Sequence, residues 1–481
     1  MISRAAAKAD RISGRGSRGA FDRRLLAPMI LGSILNPINS SIISVSLVPI
    51  GAAFGAPPAQ TAWLISALYL ATAIGQPVVG RLIDLYGPRR LFLVATSLTG
   101  VAGVVGALAP SLGVLIAARV LLGFGTCAGY PAAMYLIRSE ARRTGLDSPA
   151  GVLTALAVAT QTIAVIGPSL GGLLIGLGGW RSTLAVNIPL AAAGVMLGLL
   201  RLPKTPPRKQ AEHERALTVL DLPGMALFAA MLISLLLFLM EPAVDHSYLL
   251  LITAAAGGGF ALRELRVATP FIDLRVLFGN LPLVATYARA LLAYIVAYAF
   301  LYGYTQWLEE GRGLTASQAG LALLPLFATG IVVSTTAGRR REVRGKLLIG
   351  AAGQVVACAV LVLLHSGSPI WLLVVVAILF GIPQGLNNLG LQNSVYYQAT
   401  AERMGSSSGL LRTFGYLGAI VASAANGAFL SHRADTAGLH HLAWFMLATA
   451  VLFLAVTVTD RTLSRLGRPN PPDPSANRTE G

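Results

Sequence analysis

Carboxylates are scarce in this chain. Of 481 residues only 20 are Asp or Glu, and charged residues of both signs make up 12%. Soluble domains carry about a quarter, which argues against two to four soluble domains joined by polar linkers. Cysteine is nearly absent too. Cys127 and Cys358 stand alone inside apolar runs, without a neighbouring Cys or His. That excludes a disulfide framework or zinc cluster and leaves both as packing residues. His440-His441 has no adjacent acid and is a poor metal site. The apolar runs do not alternate with period two, which excludes a transmembrane barrel. No small-residue cleavage site follows the first run, so it is expected to be retained rather than removed as a leader. No metal, no cofactor and no enzymatic activity is expected.

What is abundant is apolar length. Hydrophobic residues make up 55% of the chain, and apolar runs of about 20 residues recur, each long enough to cross about 30 Å of hydrocarbon. With a barrel excluded, only helices satisfy the backbone in lipid. We read 14 spans, near 25–50, 60–83, 91–109, 112–137, 150–176, 182–200, 217–240, 248–262, 281–306, 316–337, 347–364, 370–392, 409–430 and 441–459. The net charge is +17, and its placement argues against nucleic acid: about 31 of the 37 Lys and Arg fall in the tails and alternate loops of one side. Arg181, Arg312 and Arg433 fall opposite, and Arg119, Arg289 and Arg412 within spans. This bias predicts a multi-pass protein of the inner (plasma) membrane with both termini cytoplasmic. The basic tail from Arg4 to Arg24 is expected to rest against anionic lipid.

One offset, 258 residues, relates the two ends of the chain. Gly80, Asp84 and Gly87 map onto Gly338, Glu342 and Gly345; Gly123 maps onto Gly381; Ser148, Gly151 and Leu153 map onto Ser406, Gly409 and Leu411. Two parallel repeats with a substrate site between them fit this pattern. The expected architecture is all-α: a basic tail (1–24), a six-helix bundle (25–202), a linker carrying two extra spans (203–279), a second six-helix bundle (280–462) and a cytoplasmic tail (463–481).

The loop after the second span reads Gly80-Arg-Leu-Ile-Asp84-Leu-Tyr-Gly87-Pro-Arg89-Arg90. Its glycines allow a tight turn, and its acid and arginines can form a charge network at the rim. In the fourth span, Arg119-Val-Leu-Leu-Gly123-Phe-Gly125 buries a guanidinium at a cost that suggests function, unless Arg119 snorkels to the outer rim. The fifth span holds Gly167-Pro168-Ser169-Leu170-Gly171-Gly172, where Pro168 kinks the helix and small residues permit close packing. These segments resemble motifs A, B and C of the major facilitator superfamily, with Ile163 at the opening glycine position of motif C. The segment from Glu264 through Pro270 and Asp273 to Phe278 resembles the linker of that superfamily's fourteen-helix drug:proton antiporter branch. The resemblance covers essentially residues 25–462 and implies that Asp84 and Glu342 latch onto the starts of the thirteenth and fifth spans. Ser406 and Ser148-Pro149 are good helix starts, with a capping hydroxyl and partial positive charge. Pairing of each acid with arginines of its own loop is the other reading.

Two spans read as cavity walls. Tyr287, Tyr294, Tyr298 and Tyr302 share one helical face, with Arg289 in the same span. Gln384, Asn388 and Gln392 recur every four residues, a stripe that binds either substrate or neighbouring helices. Asn36 and Asn39 of the first span complete the cavity candidates. That span departs from the antiporter branch: counting back from Pro49 puts Ser40 where the branch carries Asp. Serine cannot carry a proton, so Arg119, Glu309 and Glu310 are the coupling candidates. The expected protein is an apparently monomeric secondary exporter of small amphipathic compounds that uses proton-coupled antiport. Its partners are a small-molecule substrate and membrane lipid. Uptake or facilitated diffusion of an anionic metabolite, or a non-transporting receptor, are the alternatives.

Overall fold

The computed structural model describes residues 21–466 except 57, 62, 145–149, 205–220, 241–243, 268–269, 273, 315, 339–341 and 431–434. Among the described residues every regular element is a helix. The principal ones are α1 (Leu26–Ile42, carried on by a turn into Leu47–Phe54), α2 (Trp63–Tyr86), α3 (Pro88–Ala107) and α4 (Leu112–Thr126, resumed at Gly129–Thr144). Next come α5 (Ala150–Gly178), α6 (Ser182–Ala185, resumed at Asn187–Arg201), α7 (Leu222–Met240) and α8 (Tyr248–Arg266). The remainder are α9 (Leu281–Ala299, continued by π turns to Gly311), α10 (Ala316–Gly338), α11 (Val343–Leu361), α12 (Ile370–Gln398), α13 (Met404–Leu430) and α14 (Thr436–Thr459).

Among the described residues thirteen helices are long and apolar enough to cross a membrane, and the bent α5, taken as one span, makes a fourteenth. Each falls on one of the 14 runs found in the sequence. Large apolar side chains such as Leu173, Leu200, Leu251 and Leu363 are exposed on the outside. Water penalises such a surface and lipid does not. Several helices outrun the apolar segment that betrays them: α13 begins at Met404, α11 at Val343, and α12 runs on to Gln398. Hydropathy marks only the stretch that needs lipid; these polar ends are held by contacts between helices. The end of the molecule that carries Asp84, Arg89 and Arg90 is called the basic face below.

The 258-residue repeat is visible in the packing. A Cβ on Gly123 would meet Ala71 and the carbonyl of Leu68 on α2; one on Gly381 would meet Thr329 and the carbonyl of Leu326 on α10. Leu326 and Thr329 themselves follow Leu68 and Ala71 by 258 residues. The same close helix crossing is thus built twice, each time with a glycine where a side chain would hold the helices apart. Helices α1–α6 pack mainly among themselves, as do α9–α14, and the two groups meet where α2 crosses α13 and α5 crosses α10.

The extra helices α7 and α8 pair with each other. Ser234 and Thr253 share a 2.8 Å hydrogen bond, and Phe228 lies against Phe260 and Phe271. The pair leans on α2 and α13 through Ala73 and Tyr416. Arg263 donates to buried Asp221 at 2.7 Å, and Glu264 accepts the Ile272 N–H at 2.9 Å, which ties the linker to α8.

Candidate functional site

At the basic face α2 and α13 are joined by one carboxylate. Asp84 accepts the backbone N–H groups of Gly405 and Ser406, both at 2.8 Å, and the Ser406 hydroxyl at 2.5 Å. The first N–H groups of any helix lack partners within it, so Asp84 caps α13 from another bundle and meets the positive end of its dipole. The approach is close: a Cβ on Gly80 would lie 2.5 Å from the Gly405 carbonyl oxygen, and one on Gly405 2.6 Å from that of Gly80. Gly87, with φ +85°, turns the chain from α2 into α3. Arg89 donates to the Leu199 carbonyl of α6 at 2.9 Å, and Arg90 is exposed. An exposed ion pair between Arg142 of α4 and Glu402, 2.7 Å long, also spans the two halves.

Glu342, the repeat partner of Asp84, precedes α11 in extended conformation, and its side chain makes no capping hydrogen bond to that helix. The proposed counterpart start, Ser148-Pro149, lies outside the described residues.

Arg119 is fully buried, with 1% exposure. Its Nε donates to the Leu64 carbonyl at 2.8 Å, and its terminal nitrogens reach the Asn39 carbonyl at 3.3 and 3.4 Å. The guanidinium thus ties α4 to α1 and α2 through main-chain oxygens. Asn39 spends its side chain on Asn187 of α6, in a pair of hydrogen bonds of 2.7 and 2.8 Å. Ser40 returns its hydroxyl to the Asn36 carbonyl at 3.0 Å, within its own helix. Helix α5 is bent by 42° between Ile163 and Val165. That break sits four residues before Pro168, where the proline ring and its missing N–H disrupt the ladder. Beyond the bend Gly167 packs on Ser41, and Gly171 on Ile42 and Val45, both sites on the α1 segment; Gly172 is open.

A row of tyrosines runs where the two halves meet. Tyr294, Tyr298 and Tyr302 stack along one face of α9, with ring centroids 6.1 and 5.7 Å apart. Tyr69 of α2 meets this row from across, its hydroxyl 3.3 Å from that of Tyr302. Tyr416 of α13 lies 5.7 Å from the Tyr69 ring and donates to Asn36 Oδ1 at 2.8 Å. Asn36 donates in turn to Thr126 at 3.0 Å and Thr72 at 3.3 Å. Asn36, Tyr294 and Tyr298 therefore come together. Tyr287 faces elsewhere and donates to the Ser407 carbonyl at 3.0 Å.

Arg289 does not join the tyrosine row. It is fully buried and forms an ion pair with Asp460, just past α14. On α12 the polar stripe divides. Asn387 donates to Gln354 of α11 at 3.0 Å, and Gln392 to Asn388 at 2.8 Å, while Gln384 and Asn388 stay half-buried. Glu309 and Glu310 lie in the last turn of α9, where Gln306 donates to Glu310 at 3.1 Å. Arg412, third of the in-span arginines, was not among the expected cavity residues. It stands over the Tyr130 ring, 4.0 Å from its centroid. Its sequence signal was a helical spacing: four residues separate it from Tyr416.

The profile of the Major Facilitator Superfamily matches residues 29–423. An uncharacterized MFS-type transporter of Bacillus subtilis, YwoD, is 32% identical over 92% of this chain and 97% of its own. The multidrug resistance protein Stp of Mycobacterium tuberculosis is 29% identical over 83% of this chain and 74% of its own. Among solved structures, the human organic anion transporter MFSD10 superposes with a TM-score of 0.62 at 15% identity, over 90% of this chain and 99% of the other. That last likeness speaks to fold alone.

Proposed function

The chain belongs to the major facilitator superfamily, and from that premise we propose that it exports small amphipathic compounds across the inner membrane by alternating access. The observation that carries this reading is the Asp84 latch on Gly405 and Ser406. It joins the halves at one face, as an outward-facing state of an alternating-access cycle requires. The positive-inside bias assigns the latched face, and both termini, to the cytoplasm. A carboxylate on a helix N-terminus contributes about 0.3–1 kcal/mol, and up to about 2 when partly buried. That biases two states without locking either, since about 1.4 kcal/mol is tenfold.

Outward transport is supported by the bent α5 with its Gly-Pro segment packed on α1, by likeness to the antiporter motif, and by the relative named for multidrug resistance. Proton antiport is the coupling we favour. Inside-out vesicles containing the protein test the reading directly. Imposing an acidic lumen should drive accumulation of amphipathic aromatic compounds, drawn from a panel of each charge. Equilibration without accumulation would mean facilitated diffusion instead.

A further inference from the structure

Three arginines lie within the spans, and the structure separates them by what holds them. Arg119 is spent on main-chain carbonyls and Arg289 on Asp460. Arg412 is different. It is the ninth residue of α13, about 12 Å along the helix from its first residue and a few residues inside the apolar run that begins near 409. Among the described residues no carboxylate pairs with it and no oxygen accepts from it; its guanidinium lies over the Tyr130 ring. A guanidinium keeps its charge at any working pH and presents five N–H donors. Left bare at this depth it is costly.

The surroundings point to what completes it. Arg412 is half-buried on α13, which packs against α2, α4 and α9, and the Tyr130 ring beneath it belongs to the other half of the chain. The titratable groups close to it are all phenols, those of Tyr294, Tyr130, Tyr416 and Tyr298. The Tyr416 hydroxyl is committed to Asn36. The Tyr130 hydroxyl is not: it is buried, without a hydrogen-bond partner among the described residues. A second donor therefore lies unused on the ring beneath the guanidinium, and Tyr294 and Tyr298 offer aromatic faces.

From this geometry we propose that Arg412 and Tyr130 bind the acidic group of an aromatic substrate, a carboxylate or sulfonate carried on a planar ring. The proposal rests on the transport reading for the word substrate and narrows it to aromatic anions. A guanidinium fork matches two carboxylate oxygens, the phenol hydroxyl supplies a further donor, and the tyrosines stack the ring. Tyr130 belongs to the first half of the chain and Arg412 to the second, so a bound anion touches both halves. It also neutralises a cation that otherwise has no counter-charge among the described residues. Cationic compounds are repelled by the same charge.

Equilibrium binding to the purified full-length chain tests this, with naphthalene-2-carboxylate as probe and its uncharged carboxamide as the matched control. The wild type should bind the carboxylate at least tenfold more tightly. Arg412→Gln should abolish that preference and turn the carboxylate's salt sensitivity off. Arg412→Lys should retain part of the preference, and Tyr130→Phe should reduce it several-fold. Equal binding of the two probes by the wild type, binding of neither, or a preference that survives Arg412→Gln would each overturn the proposal. Should Arg412→Gln not fold, an undiminished preference in both Arg412→Lys and Tyr130→Phe overturns it. Binding measured in this way is independent of flux. Anion-selective binding without transport would count against export and leave this site standing.

Discussion

Two carboxylates placed at helix ends do different work. Asp84 holds a partner across the two halves, so its loss should change an equilibrium more than a fold. Asp84→Asn keeps one acceptor oxygen but loses the charge and the second acceptor, a loss of about 0.3–2 kcal/mol. Flux should fall while the amount of folded protein stays near normal. Cysteines placed on the basic-face ends of α2 and α13 should label faster. Normal flux in Asp84→Asn would remove the latch from the mechanism.

Asp460 holds a partner within one half, and here the fold should suffer. Arg289 is 0% exposed and the Asp460 side chain 11%. Removing one member of a buried pair strands the other charge, at about 3–5 kcal/mol. Asp460→Asn should therefore lower the unfolding temperature sharply in detergent. Burial pushes the Asp460 carboxyl up, but hydrogen bonds from Thr462 and Arg289 outweigh it and leave it below the ordinary 3.8. A depressed folded value means the pair's contribution is intact above pH 3.8 and is lost as pH falls through the lower value. The wild type should thus hold its stability from neutrality to about pH 4, and Asp460→Asn should be weak throughout.

At the scale of the helix, sequence and structure agree wherever a local rule suffices. Length and hydropathy located all fourteen runs because lipid imposes one constraint on each. Pro168 marked the bend in α5 because a missing N–H acts four residues back, whatever surrounds it. That Asp84 reaches the start of α13 is implied by the family resemblance, and the serine there reads locally as a helix start. The partners of the arginines were not legible. In sequence Arg119 reads as a coupling candidate, Arg289 as a cavity candidate and Arg412 has no role, whereas what distinguishes them is a carbonyl 55 residues away, a carboxylate 171 residues away, and the absence of either. Such information belongs to packing. The same scale carries a prediction for α5. Pro168→Ala restores the N–H and removes the ring clash, worth up to about 3 kcal/mol where the helix can straighten. A straighter α5 can no longer follow the α1 segment from Ser41 to Val45. Thermal stability should rise and flux should drop, with spin-label distances between α5 and α10 lengthening on the face opposite the latch. Unchanged distances together with full flux would show that the bend is set by packing rather than by proline.

Across the whole molecule the open issue is how a chain without a membrane-embedded carboxylate in α1 would use a proton gradient. Ser40 stands at the position of the branch's Asp, and its hydroxyl is bonded to its own helix, so Ser40→Ala should leave proton-driven flux nearly intact. Glu309 and Glu310 share a helix with the tyrosine row. They end the helix that carries Tyr294, Tyr298 and Tyr302, and buried Trp307 and Tyr304 lie directly beneath them. A carrier there would take its proton from the outer side and release it when the halves exchange. The double variant Glu309→Gln, Glu310→Gln keeps size and hydrogen bonding but cannot ionise. Flux driven by a pH gradient should fall at least tenfold in it, while exchange of labelled against unlabelled substrate, which needs no proton, should persist. Unchanged gradient-driven flux in the variant would remove the two glutamates as carriers. Indifference of the wild type to an imposed gradient would remove proton antiport itself and leave an aromatic anion moving with its own charge, drawn by Arg412 and driven by the membrane potential.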